Sequence, residues 1–346
     1  MEIKMRKPDF ENLLRILNRE KPSRSTLFEF FMNDSIYREL AGKEVCSQKD
    51  KLEHMRIMMH GFANAGYDYA TVGTGNLNAL CFSAGKKERE ESISLNEGAV
   101  IFDRESFEKY PWPDPEKGDF EFLNDIKPEI PDGLKLVVSG PGGVLENVIK
   151  LVGYDNLCLL SIDDEELTAE IFEAVGSRLA RYYEICAGYD SVGALISNDD
   201  WGFKTQPMLS PEAFRKFIIP WHKKIAEAGH KKGKPVVLHS CGNLETLMDD
   251  IIDDIKYDGK HSYEDNICPV EEAYEKWSSR IAIMGGLDLD FICRSSKEAV
   301  YERAKNMLER SSSRGAYALG SGNSIPEYVP KENYYAMISA ATGMTY

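Results

Sequence analysis

Short runs of β-forming residues alternate with longer stretches of helical period about eight times along this chain, and few architectures accept that rhythm. Parallel strands cannot be joined by tight turns, so each needs a crossover, and eight such units close a barrel. The runs fall at 27–31, 69–73, 134–139, 191–197, 235–239, 257–261, 281–286 and 316–320. They predict an α/β chain of the (β/α)8 TIM-barrel class, with all 346 residues in one domain.

Local signals mark the helices between them. Ser210-Pro211-Glu212 sets a polar cap before a proline in the first turn, and Lys231-Lys232-Gly233 closes that run, with Pro220 expected to kink it. Asp163-Asp164-Glu165-Glu166 places acids before a helix over 167–187, and Ser296-Lys297-Glu298 opens another that ends near Gly315. The first 20 or so residues read as an amphipathic helix covering the barrel bottom. Residues 76–132, between the second and third strands, are too many for one crossover. They include Tyr110-Pro111-Trp112-Pro113-Asp114-Pro115 and read either as an insertion folded over the barrel mouth or as a surface decoration or homodimer contact.

Composition narrows the function classes. A formal charge of -15 leaves no basic face for nucleic acid or anionic lipid. No apolar run approaches the ~20 residues of a membrane helix, and the first residues lack a signal-peptide core, so the expected compartment is the cytoplasm. Seven irregularly spaced cysteines do not make a disulfide framework and are expected as reduced, mostly buried thiols.

The chemistry-bearing residues collect where strands end. His239 and Cys241 stand two apart, so strand alternation puts both on one side, and imidazole with thiolate suits zinc. The bland alternative is a hydrogen-bonded histidine beside a core cysteine. Gly242-Asn243 then turns into an expected helix over 244–252 whose amides would receive an anion, which makes Asn243 a candidate binding residue. At the next strand end His261 and Glu264 are candidates to complete a mixed metal site, or parts of a polar loop.

Asp199-Asp200-Trp201 and Gly286-Leu287-Asp288 bring carboxylates to two further strand ends, with Asp199 and Asp288 as candidate catalytic groups and helix capping as the alternative for Asp288. Glu29, inside a phenylalanine-rich first strand, is the third catalytic candidate, because an isolated buried carboxylate is costly. Ser321, Gly322 and Asn323 come after the last strand, where glycine lets backbone amides approach a ligand or simply makes a tight turn.

With these residues in place the chain resembles the uroporphyrinogen decarboxylase superfamily, and within it the branch of zinc-dependent corrinoid methyltransferases. The resemblance runs through Ala65-Gly66-Tyr67-Asp68, the stretch 198–211, His239-Ser240-Cys241-Gly242-Asn243, Met284-Gly285-Gly286-Leu287-Asp288 and the final glycine-rich turn. It implies a TIM barrel holding zinc through His-x-Cys and a distant cysteine, and activating a thiol for methyl transfer to or from a corrinoid carried by a partner protein.

His239 and Cys241 match that pattern. The third ligand does not, because Gly320-Ser321 stands where the branch has Gly-Cys, which leaves the metal site weaker or completed by Glu264 or His261. The decarboxylases carry an arginine-rich N-terminal motif that holds an acidic tetrapyrrole. This chain has Phe28-Glu29-Phe30-Phe31-Met32-Asn33 there. The reading is therefore a metal-assisted methyltransferase with a small-molecule methyl donor or acceptor. The alternatives are a cofactor-independent lyase using Asp199 or Asp200 as acid, and a non-catalytic corrinoid- or tetrapyrrole-binding module.

Overall fold

Seven parallel strands, hydrogen-bonded in chain order, form one curled sheet in the computed structural model, which describes residues 6–85 and 94–345. They are β1 (Tyr69–Val72), β2 (Lys135–Ser139), β3 (Val192–Asn198), β4 (Val236–His239), β5 (Gly259–His261), β6 (Ala282–Met284) and β7 (Tyr317–Ala318). Each lies inside or within a residue of an expected run. The first expected strand does not form a ladder. Leu27 makes a single parallel bridge to Leu319, while the Glu29 backbone amide donates to the Tyr69 phenol at 2.7 Å, so this segment links β7 to β1.

The strands are almost wholly buried because helices cover the outer face and side chains fill the inner one, as an all-parallel sheet requires. Ten helices named here carry most of that cover: α1 (Glu11–Leu17), α2 (Asp34–Cys46), α3 (Glu53–Asn64), α4 (Val144–Val152), α5 (Tyr154–Asp163), α6 (Glu165–Ala187), α7 (Ile219–His230), α8 (Val270–Trp277), α9 (Lys297–Ser311) and α10 (Lys331–Thr342). In α6 the buried positions Leu167, Ile171, Val175, Leu179, Tyr182 and Cys186 repeat at three and four, which makes one stripe, and each fully buried large side chain contributes ~1.5–3 kcal/mol. Gly176 lets the Trp221 ring of α7 approach so closely that a Cβ would lie 2.2 Å from it.

The expected caps form: Ser210 accepts from Ala213 N, Asp164 from Leu167 N and Ser296 from Ala299 N. Pro220 makes no mid-helix kink. A five-residue π-turn at Phe214–Ile218 precedes it, so the proline enters at the first turn of α7, where a missing amide costs nothing. Short α1, with Phe10 against Gly193 and Leu17 against Gly259, lies under the strands' N-terminal ends as expected. The first five residues lie outside the described ones.

The excess segment corrects one expectation. Its described part does not fold over the strand ends from 104 onward but runs down the outside of α6, as the surface-decoration alternative had it. Arg104 pairs with Glu170, Arg178 donates to the Pro113 carbonyl and stacks over Trp112, Arg181 pairs with Glu116, and Ser191 donates to the Leu123 carbonyl. Residues 86–93 of this segment lie outside the described ones. The cysteines are free thiols, but only Cys186 is fully buried and Cys81 is exposed. No helix among the described residues is long and apolar enough to cross a membrane.

Candidate metal centre

Register decides which side chains meet. Asn198, His239, His261 and Met284 are successive partners across β3 to β6, so their side chains share one level and one side of the sheet. Two residues further on, the same parity brings Asp200 beside Cys241, whose backbone amide donates to Asp200 Oδ1 at 2.9 Å. The 200–203 and 241–243 turns press together because Gly242 has φ +89° and a Cβ there would lie 2.1 Å from the Gly202 carbonyl oxygen. A side chain at 242 is excluded twice, by conformation and by space.

Asp200, His239 and Cys241 thereby present an oxygen, a nitrogen and a sulfur that all lie within 4.8 Å of one another. His239 Nε2 is 4.0 Å from Cys241 Sγ, inside the sum of one Zn–N and one Zn–S bond, about 4.4 Å, so a single ion can bridge them. The sulfur also receives the Asn323 amide at 3.3 Å and the Ser262 hydroxyl at 3.4 Å, two donors that favour thiolate over thiol. Without a cation, burial and then the Asp200 charge push the Cys241 thiol up to about 12. A bound metal reverses that balance. Oxygen, nitrogen and sulfur donors of these types are ones that zinc accepts.

His261 and Glu264 do not join this group. His261 Nδ1 lies 2.8 Å from His239 Nδ1 and its Nε2 lies 3.2 Å from the Ser321 carbonyl, so neither ring nitrogen is left for an ion. Burial pushes His261 down to about 3 and holds His239 well below the usual imidazole range. Glu264 instead lines an open cleft of about 820 Å³ together with Lys204, Tyr263, Asp288, Gly322 and Asn323.

Ser321, the residue standing where a third thiolate was expected, faces Glu29. Its hydroxyl donates to Glu29 Oε1 at 2.7 Å and its amide to Oε2 at 3.1 Å. Both groups are wholly buried, and burial pushes the Glu29 carboxyl up to about 8 despite those bonds.

Two other expected acids are committed to the scaffold. Asp199 accepts from the Leu145 and Glu146 amides at the start of α4, from the Trp201 indole and from His222, each at 2.9 Å, and it is 1% exposed. It anchors the loop that carries Asp200. Asp288 caps Phe291 N at 2.8 Å and receives Asp265 N at 2.9 Å, which is the capping alternative. Asn243 Oδ1 receives Glu245 N, but the chain continues into a three-residue 3-10 turn and then a π-turn at Asp250–Ile255. The expected α-helical anion site after Asn243 is therefore not formed.

Sequence reasoning misses three contributions here. Asp200 as a candidate ligand is hidden, because choosing it over Asp199 depends on register, which a single strand does not reveal. Lys260 is buried on the far face of β5, where its ammonium holds the Ser240 and Ser262 carbonyls and lies 4.3 Å from the Tyr263 ring, and burial lowers it to about 8. Ser262, which Lys260 grips, itself sits at φ +88°, and its hydroxyl donates to Cys241. Glu146, beside Asp200, is pushed up to about 8 by burial and then by the charges of Asp199 and Asp200.

Comparison with known proteins agrees with this architecture. A family model for uroporphyrinogen decarboxylase (URO-D) matches residues 95–344. A methylated-thiol–coenzyme M methyltransferase from Methanosarcina mazei is 22% identical over 191 residues, 55% of this chain and 48% of that protein. A uroporphyrinogen decarboxylase from Geobacter metallireducens is 24% identical over 140 residues, 40% of this chain and 38% of that protein. The matched stretches thus span about half or less of those relatives. Among solved structures, a methyltransferase from Methanosarcina mazei superimposes with a TM-score of 0.69 at 16% identity, covering 96% of this chain and 97% of that one, a likeness of fold. With a family match across most of its length and a parallel sheet that gathers its polar residues at one end, this chain belongs to the uroporphyrinogen decarboxylase (URO-D) family.

Proposed function

We propose that this protein is a metal-assisted methyltransferase, built on a (β/α)8 barrel whose eighth strand is the bridged segment around Leu27, and that it moves a methyl group to or from a corrinoid on a partner protein. The observation that carries this reading is the Asp200, His239 and Cys241 cluster, whose three donor types suit zinc. The likeness to a methylated-thiol–coenzyme M methyltransferase supports the class of reaction.

His239, Cys241 and Asp200 would hold the ion. Zinc bound there would supply Lewis acidity able to lower the pKa of a small-molecule thiol. The chain's own residues do the rest. Asn323 and Ser262 hold the Cys241 sulfur in place through its lone pairs, and the Phe30 ring, 4.6 Å from the His239 ring, keeps water from that side. Asn323, which donates to Cys241, also lines a cleft that would offer the acceptor's tail Lys204, Asn266 and Glu264 as polar partners. An acidic tetrapyrrole is a poorer substrate, because Phe28-Glu29-Phe30-Phe31-Met32-Asn33 offers no cation in the segment where decarboxylases carry them.

Methyl transfer from methylcobalamin to a small thiol, measured alongside zinc content for the wild type and Cys241→Ser, tests the proposal. The wild type is expected to hold one zinc and transfer methyl, and Cys241→Ser to lose both by at least ~100-fold. No methyl transfer, together with decarboxylation of a carboxylated substrate that survives chelation, would instead support the lyase reading.

A further inference from the structure

His239 is useful to a metal only if the lone pair facing Cys241 is bare, and the structure contains a device that decides this. We infer that His261 is a positioning residue that fixes His239 with its proton on Nδ1 and a bare lone pair on Nε2, through a two-bond chain ending on the Ser321 carbonyl. The inference rests on the metal-site reading proposed above only for its consequence, not for its geometry.

The polarity of the chain is set by its last member. A carbonyl oxygen can only accept, so His261 Nε2, 3.2 Å from the Ser321 oxygen, carries a proton. His261 is wholly buried and has no carboxylate partner among the described residues to support an imidazolium, so the ring is neutral and its Nδ1 is an acceptor. His239 Nδ1, 2.8 Å away, must then be the donor. Its Nε2 is left bare, and that is the atom 4.0 Å from Cys241 Sγ. A neutral imidazole in water favours the opposite tautomer, with the proton on Nε2, so the chain imposes the form a metal needs.

The surroundings are built to hold both rings. The register pairs His239 with His261 on β4 and β5. Phe28 meets the His261 ring edge-on at 5.0 Å, and Phe30 covers His239. Gly285 closes the far side at φ +65°, where a Cβ would fall 2.4 Å from the Ser321 oxygen and 2.9 Å from His261 Nε2. The glycine is needed because the relay passes directly beneath it.

Nitrogen-15 NMR of the full-length, metal-free protein labelled at histidine reads the tautomers directly. His239 is expected as the Nδ1–H form and His261 as the Nε2–H form. In His261→Phe the His239 signal should move toward the Nε2–H form, and zinc affinity, measured against a chromophoric chelator, should fall ~10–100-fold. His261→Gln keeps an acceptor and a donor and should recover most of that affinity. A wild-type His239 protonated on Nε2 would overturn the inference, and so would unchanged affinity in His261→Phe. Two imidazoles on zinc by X-ray absorption would overturn it too, since His261 would then be a ligand itself. If the wild type binds no zinc, the metal reading fails, while the wild-type NMR still decides the relay.

Discussion

Two places along the same sheet, one beside its central strand and one beside its last, carry a carboxylate near a possible ligand, and they use it in opposite ways. Beside β4, the donors of Asp200, His239 and Cys241 converge on one another, and the neighbouring residues donate toward the sulfur. Beside β7, Glu29 and Ser321 satisfy each other completely: the hydroxyl and amide of one fill the two oxygens of the other, and both are buried. The first arrangement leaves lone pairs for an ion. The second consumes them, so a polar residue at a barrel mouth is available only if its own neighbours have not already answered it.

The largest effect should come from the anchor beneath the first region. Asp199→Ala removes a buried acceptor of four hydrogen bonds and should cost ~3–5 kcal/mol of stability in urea unfolding. If Asp199 were instead a substrate-facing acid, the variant would keep near wild-type stability and lose only turnover.

The second region should announce itself through pH. Glu29 titrates near 8 in the fold and near 4.5 when unfolded, so between those values the folded state holds the extra proton. Its contribution is therefore present below about 4.5 and lost as pH rises through about 8, on the order of 5 kcal/mol in all. Glu29→Gln, which stays neutral, should flatten that part of the stability profile. An unchanged slope would show that Glu29 is already ionised and the two regions are more alike than described.

Much of this is legible in the chain and some is not, for physical reasons. Seven of eight expected strands follow from alternation and turn signals alone, and the caps at Asp164, Ser210 and Ser296 follow from the backbone donors they satisfy. His239 and Cys241 are legible because period-two alternation is a local rule. Asp200 is not, because choosing between adjacent acids needs the register of β3 against β4, a long-range property. For His261 the sequence shows a nitrogen at the right level but not its neighbours, since the contacts to His239 and to the Ser321 carbonyl come from distant strands. For the 104–132 stretch the sequence leaves two placements open, because its contacts, with α6 and with Lys51 and Arg56, are made to residues far along the chain.

A smaller effect separates the two regions by exchange. Ser321→Cys supplies the thiol the resemblance expects, yet it should change zinc affinity less than ~threefold, because position 321 faces Glu29 rather than Cys241. A large gain would mean the serine side is an unfinished half of the same site.

Whether Asp200, His239 and Cys241 form one three-ligand centre is tested most directly by zinc X-ray absorption on the purified wild-type protein. One zinc per chain is expected, with a single sulfur at about 2.3 Å and nitrogen or oxygen ligands at about 2.0–2.2 Å. Zinc without sulfur, or zinc with two sulfurs, would contradict that centre.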